Sequence, residues 1–180
     1  MIRRAIWGVL AAASVLSVLS CDSSRVTGVE ARPETAESGK LLGLPILPKK
    51  LWCPTSTTQS ATADIGPLGG IISVAGTSIN VPVGALLSTV TMTVTVPASN
   101  YMEIDISVAG VDHFLFESPT TVTVNYARCT NVWLLTPPLT AWYIDSETKA
   151  LISPMPSVDN RVLRTVTFTT DHLTGFILAN

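Results

Sequence analysis

Residues 89–96 read Thr-Val-Thr-Met-Thr-Val-Thr-Val, and this stretch decides the fold. Val90, Met92, Val94 and Val96 fall on one side of an extended chain and four threonines on the other, because side chains alternate between faces along a strand. Threonine and valine also suit a pleated, half-buried surface. One apolar face and one polar face is the pattern of an antiparallel sheet with a single buried side.

The alternation recurs on either side. Met102, Ile104, Ile106 and Val108 alternate with Glu103, Asp105 and Ser107. Val122, Val124 and Tyr126 alternate with Thr121, Thr123 and Asn125. Residues 162–170 repeat the theme, with Val166 and Phe168 inward. Shorter candidates are 70–75, 78–81, 141–145 and 175–178, separated by Pro, Gly and Asn-Arg breaks. No stretch carries a helical stripe. Eight or so such strands predict an all-β, antiparallel β-sandwich, two sheets packed face to face. A chain of this length buries a sizeable core, so a disulfide adds to stability without being essential.

The N-terminus has a different character. Arg3 and Arg4 precede an uncharged apolar run, residues 5–19, of the length of an export-signal core and too short to span a bilayer comfortably. Val18-Leu19-Ser20-Cys21 then resembles the lipobox of bacterial lipoproteins. Val stands where Leu is commoner, and Leu where a small residue is commoner. The resemblance implies a peptidase cut before Cys21 and a diacylglycerol on its sulfur. An ordinary secretory signal cut near Ser20 is the other reading, since Val18 and Ser20 suit that peptidase too. Lipidation would hold the chain at a bacterial membrane, extracytoplasmic, because each buried CH2 contributes about 0.8 kcal/mol and more than one acyl chain is present. The sequence does not choose inner or outer membrane.

Residues 22–40 are rich in Ser, Glu, Thr, Gly and Pro and show no period. Residues 41–47 are more apolar but broken by Gly43, Pro45 and the following Pro48; they either pack on the domain as an extended arm or stay a disordered, sticky segment. The organisation expected is a signal peptide over 1–20, a flexible tether over 21–52 and a sandwich over 53–180. Without Arg3 and Arg4 the formal charge moves from −2 to −4, and no basic run appears. Nucleic acid is therefore not an expected partner. With Cys21 carrying lipid, Cys53 and Cys129 remain as an even pair in an oxidising compartment. They form a bridge tying the incoming chain to a central strand, or stay as two buried thiols. Neither has a neighbouring His or Cys at metal-ligand spacing.

Two turns carry a second resemblance. Gly66-Pro-Leu-Gly-Gly-Ile-Ile, a strand, and Val81-Pro-Val-Gly-Ala-Leu86 are similar to the core of the ZU-five domain, found in zonula occludens proteins, netrin receptors and ankyrins and in bacterial relatives. Gly69, Gly70, Pro82, Gly84 and Ala85 match its pattern. Glycines at 69 and 70 allow a tight turn with positive φ, Pro82 ends a strand and Gly84 lets the chain reverse. Phe116-Glu-Ser-Pro119 and Thr170-Asp-His-Leu-Thr174 also resemble those relatives. The likeness spans roughly residues 63–180. It implies a β-sandwich used for binding or architecture; the Thr-rich strand faces are the surface expected to pair with an envelope protein or a glycan, and the sequence names neither.

Catalytic parts are few. His113 and His172 each follow an aspartate, and neighbours on a strand point to opposite faces, so neither pair is expected to form a dyad. No HxH, HExxH, GxSxG, P-loop or GxGxxG occurs, so no metal, cofactor or small-molecule substrate is implied. His172-Leu173-Thr174 resembles the cleavage site of autoproteolytic modules. Carried over, Thr174 attacks the carbonyl of Leu173 while His172 moves the proton. Cleavage there would free only residues 174–180, with nothing downstream to control. The sequence therefore favours a lipid-anchored binding or scaffolding module over an enzyme.

Overall fold

The computed structural model describes residues 40–41, 44–45, 47–130 and 138–180. The signal peptide, Cys21 and most of the tether read from the sequence lie outside the described residues. Among the described residues fifteen strands run in chain order: β1 (Lys40–Leu41), β2 (Leu44–Pro45), β3 (Trp52–Thr55), β4 (Gln59–Ile65), β5 (Gly70–Val74), β6 (Thr77–Val81), β7 (Val90–Val96), β8 (Ser99–Tyr101), β9 (Glu103–Val108), β10 (Leu115–Asn125), β11 (Thr140–Ile144), β12 (Leu151–Pro154), β13 (Ser157–Asn160), β14 (Thr165–His172) and β15 (Gly175–Ala179). No helix occurs among the described residues.

Two antiparallel sheets form the sandwich. One is ordered β13-β14-β10-β6-β5 and the other β12-β11-β15-β9-β7-β4. The expected alternation sets their inner faces. Val122, Val124, Val166, Phe168, Ile72 and Ile79 from the first sheet meet Met92, Val94, Ile104, Ile106, Phe176 and Leu178 from the second, all buried in one core. Thr77, Thr120 and Thr170 are buried, whereas Thr62 and Thr93, and Thr123 and Thr167, stand on the outer faces and share hydrogen bonds across neighbouring strands. Such polar cross-strand pairs contribute a few tenths of a kcal/mol each, to about 1.

The folded part begins earlier than the sequence suggested. Lys50 pairs with Ala179, and Leu51 is buried. The Leu51 N–H donates to the Leu178 carbonyl (2.7 Å), the Leu178 N–H to that of Met102 (3.1 Å), and the Met102 N–H to that of Leu51 (3.1 Å). Residues 49–51 are thus a wedge against β15 rather than tether, with Leu47 and Trp52 left in solvent on either side. An apolar Leu51 flanked by backbone groups that Leu178 and Met102 would otherwise leave unpaired explains the shift.

Cys53 and Cys129 form a disulfide with Cα atoms 4.7 Å apart, closing a loop of 76 positions. Of the two outcomes the sequence left open, the bridge is the one found. It pins the entering chain to the segment after β10. The sandwich therefore has two distinct ends. Residues 47–55, 126–130, the β13–β14 turn and Asn180 gather at the entry end. The β4–β5 turn and residues 82–87, 108–114 and 172–175 gather at the free end.

Residues 162–164, expected in a strand, form a turn instead. Asn160 Oδ1 accepts the N–H groups of Val162 and Leu163 (3.1 and 3.0 Å), and Arg164 has φ of 53°. A side-chain oxygen that captures the amides two and three residues on diverts the chain from the ladder.

Candidate functional site

The free end is built by the turn residues the sequence singled out. Gly69 has φ of 74°, and its N–H donates to the Gly66 carbonyl (2.9 Å). A Cβ at Gly69 would lie 2.3 Å from the Val81 carbonyl oxygen. Gly84, at φ 80°, donates its N–H to the Pro67 carbonyl (2.8 Å), so the two turns lean on each other. Pro82 follows the last residue of β6, and its carbonyl accepts the Ala85 N–H (3.2 Å). Ala85 is buried, and its carbonyl accepts the Glu117 N–H (3.0 Å). Gly70 departs from expectation because its φ is not positive. It is needed for space: a Cβ there would meet Ile65 Cδ1 at 2.8 Å.

This knot fixes its backbone and leaves its aliphatic side chains in solvent. Leu68 is 86% exposed, Leu87 81%, Val83 74% and Leu115, beside them on β10, 73%. Single exposed aliphatics are ordinary, whereas three on adjoining turns with a fourth at the start of β10 mark a surface that gains by being covered.

A cleft of about 600 Å³ opens at the same end, between the 108–114 segment and β9 on one side and β11, β12 and residues 172–175 on the other. Asp105, Asp112, His113, Tyr143, His172 and Thr174 are among its lining residues. The Tyr143 and His172 rings stack with centroids 4.7 Å apart and planes 20° apart. His172 Nδ1 lies 2.8 Å from Asp171 Oδ1, so these neighbours do meet, contrary to the strand rule. The surroundings are irregular: Thr170 Oγ1 donates to the His172 carbonyl (2.6 Å) and accepts its N–H (3.3 Å), and the ladder to β10 shifts register between Thr120 and Leu115, the partner of His172. The hydrogen bond from His172 holds the Asp171 carboxyl below its ordinary range.

The residues of the cleavage motif share the cleft without engaging one another. The Leu173 N–H donates to the Phe114 carbonyl (3.1 Å), and Leu173 is buried. Neither Leu173 nor Thr174 has a positive φ. No hydrogen bond joins His172 to Thr174 among the described residues. The imidazole is stacked on Tyr143 and turned to Asp171 instead. Among the described residues no group of three or more His, Cys, Asp or Glu converges to hold a metal ion.

Sequence reasoning missed the aliphatic cluster. Leu68 and Val83 sit inside the turn motifs and Leu87 directly after the second, where glycine and proline carry the turn signal. Their signal was hydrophobicity at positions where turns are ordinarily polar. No protein-family model matches this chain, and no curated protein matches it in sequence.

Proposed function

We propose that this protein is a lipoprotein of a bacterial envelope, anchored through Cys21, whose ZU-five-like sandwich binds a partner protein at its free end and so scaffolds the envelope surface. The observation that carries this reading is the cluster of Leu68, Val83 and Leu87 on turns and Leu115 at the start of β10, exposed at the end opposite to where the chain enters. The tight packing of the turn backbones supports it, because a preorganised surface loses little entropy on binding. Aliphatic side chains favour a protein over a glycan, whose hydroxyls ask for hydrogen-bonding partners.

The test is capture from solubilised envelopes with the wild-type sandwich and with a Leu68→Ser/Leu87→Ser variant. Both substituted side chains are solvated, so the variant should melt as the wild type does. A protein retained by the wild type and lost from the variant supports the reading. Identical retention by both contradicts it. The anchor is tested separately by Cys21→Ser, which should move the protein from the membrane to the soluble fraction.

A further inference from the structure

The cations of the sandwich are unevenly placed. Lys49, Arg128, Arg161 and Arg164 belong to the entry end. The Lys49 N–H donates to Asn180 Oδ1, Arg128 Nη1 to Thr55 Oγ1, and Arg164 Nη1 to the Ala127 carbonyl. The carboxylates Asp64, Asp105, Asp112, Glu117 and Asp171 belong to turns and strand ends on the opposite side, whereas the β11–β12 turn, which holds Asp145, Glu147 and Lys149, folds back far enough for the Lys149 carbonyl to accept a hydrogen bond from Lys50 Nζ of the entry arm. Two further carboxylates lie toward the entry end, and both are engaged. Glu103 faces Lys149 at 3.8 Å. Asp159 accepts from Tyr126, Leu139 and Arg161. The domain is thus polarised, cationic where the chain enters and anionic at the free end.

The cationic end also carries apolar side chains in solvent. Val162 is 93% exposed and Leu163 64%, at the tip of the β13–β14 turn between Arg161 and Arg164. Asn160 holds the backbone of this turn, so neither side chain is needed for its shape. Leu47, 76% exposed, and Trp52, 51% exposed and edge-on to Tyr101, lie at the same end. Two aliphatics flanked by arginines, with an indole exposed at the same end, suit a headgroup layer. The aliphatics reach the acyl boundary, the cations meet lipid phosphates and the indole sits between. The free end has as much exposed aliphatic surface but the opposite charge, so charge is what tells the two ends apart.

From this we propose that the entry end is a docking surface for an anionic membrane, seating the sandwich with its free end outward. The proposal rests on the anchored reading for which surface is near. Cys21 lies 26 positions before Leu47, within about 90 Å of it even fully extended. The contact itself needs no lipid on the protein.

The test therefore uses residues 21–180 carrying Cys21→Ser, which no acyl chain can anchor. It is mixed with vesicles of phosphatidylcholine alone or with added phosphatidylglycerol. Binding to the anionic vesicles only, weakened by salt, is the expected result. Lys49→Gln and Arg164→Gln should each weaken it about fivefold, the equivalent of ~1 kcal/mol per cation at the surface. Val162→Ser/Leu163→Ser should weaken it as well, whereas Leu68→Ser/Leu87→Ser should leave it unchanged. Circular dichroism checks that each variant is folded. No binding to anionic vesicles, binding indifferent to the two cation changes, or loss on changing Leu68 and Leu87 would overturn the proposal. So would binding to native envelopes but not to protein-free vesicles, which would make the occupant a protein. Failure of the anchored reading would show instead as an unlipidated Cys21 in cells and leaves the vesicle result untouched.

Discussion

Replacing Cys53 and Cys129 together by alanine asks how the entering chain is held. The bridge closes a loop of 76 positions. A closed loop of that length removes about 4.5 kcal/mol of chain entropy from the unfolded state. A domain of this size shifts its midpoint by roughly 3–4 °C per kcal/mol, so the thermal transition should fall by ~15 °C. Alanine is the right replacement because both cysteines are buried, and a serine hydroxyl would need a partner there. Two mechanisms can be told apart. If the bridge acts on the unfolded chain, the urea m-value rises on its removal because the unfolded state expands. The amides of Leu51, Met102 and Leu178, which lock the arm to β15, then keep their protection from hydrogen exchange. If the bridge instead holds the arm on the native sandwich, those three amides exchange first and the m-value stays put. Urea titration followed by tryptophan emission, with hydrogen exchange read by mass spectrometry, measures both. A loss of stability below ~1 kcal/mol would refute the loop-closure argument.

Gly69→Ala should destabilise more than Gly84→Ala, measured by urea midpoint. Both residues have positive φ, roughly 1–2 kcal/mol for a side chain, but only at Gly69 would the new Cβ strike backbone, at 2.3 and 2.9 Å, whereas nothing lies within 4 Å at Gly84. Tyr126 is pushed up to about 12 by burial, then by the Asp159 carboxylate that accepts its hydroxyl at 2.6 Å. The unfolded phenol gives up its proton near its ordinary value of 10, so this stabilisation is complete below pH 10 and is lost as pH rises towards 12. Tyr126→Phe should cost about 1–3 kcal/mol at neutral pH and remove that alkaline decline; a variant as steep as the wild type contradicts the assignment. Under denaturing conditions the purified protein should give one mass for an unbroken chain, and two fragments divided between Leu173 and Thr174 would show the cleavage reading to be right after all.

Long alternating strands were legible because their burial is one-sided. β7, β9 and β10 bury alternate residues as the Val/Thr and Ile/Asp patterns require. β12 and β13 were not read, because they are four-residue strands at the sheet edges whose Ile152 and Val158 face solvent, 64% and 70% exposed. An edge strand with its apolar residues outward carries no pattern that points inward. β4 was faint for a related reason: its inward side offers Ala61 and Ala63 before Ile65, little hydrophobic contrast with Ser60, Thr62 and Asp64. The turn glycines were legible as a set, though Gly70 serves close packing against Ile65 rather than a left-handed backbone. What the sequence could not carry was distance. The approach of Cys53 to Cys129, the meeting of Asp171 with His172 and the gathering of Lys49 with Arg128, Arg161 and Arg164 all depend on segments the fold brings together.

The claim on which the functional account rests is that Cys21 is the point of attachment to a membrane. It is tested most directly by mass spectrometry of the N-terminal peptide of the mature protein, isolated from membranes of the cells that make it. The account predicts a chain beginning at Cys21 with a diacylglyceryl group on its sulfur. A mature chain that begins elsewhere, or an unmodified Cys21, would contradict it.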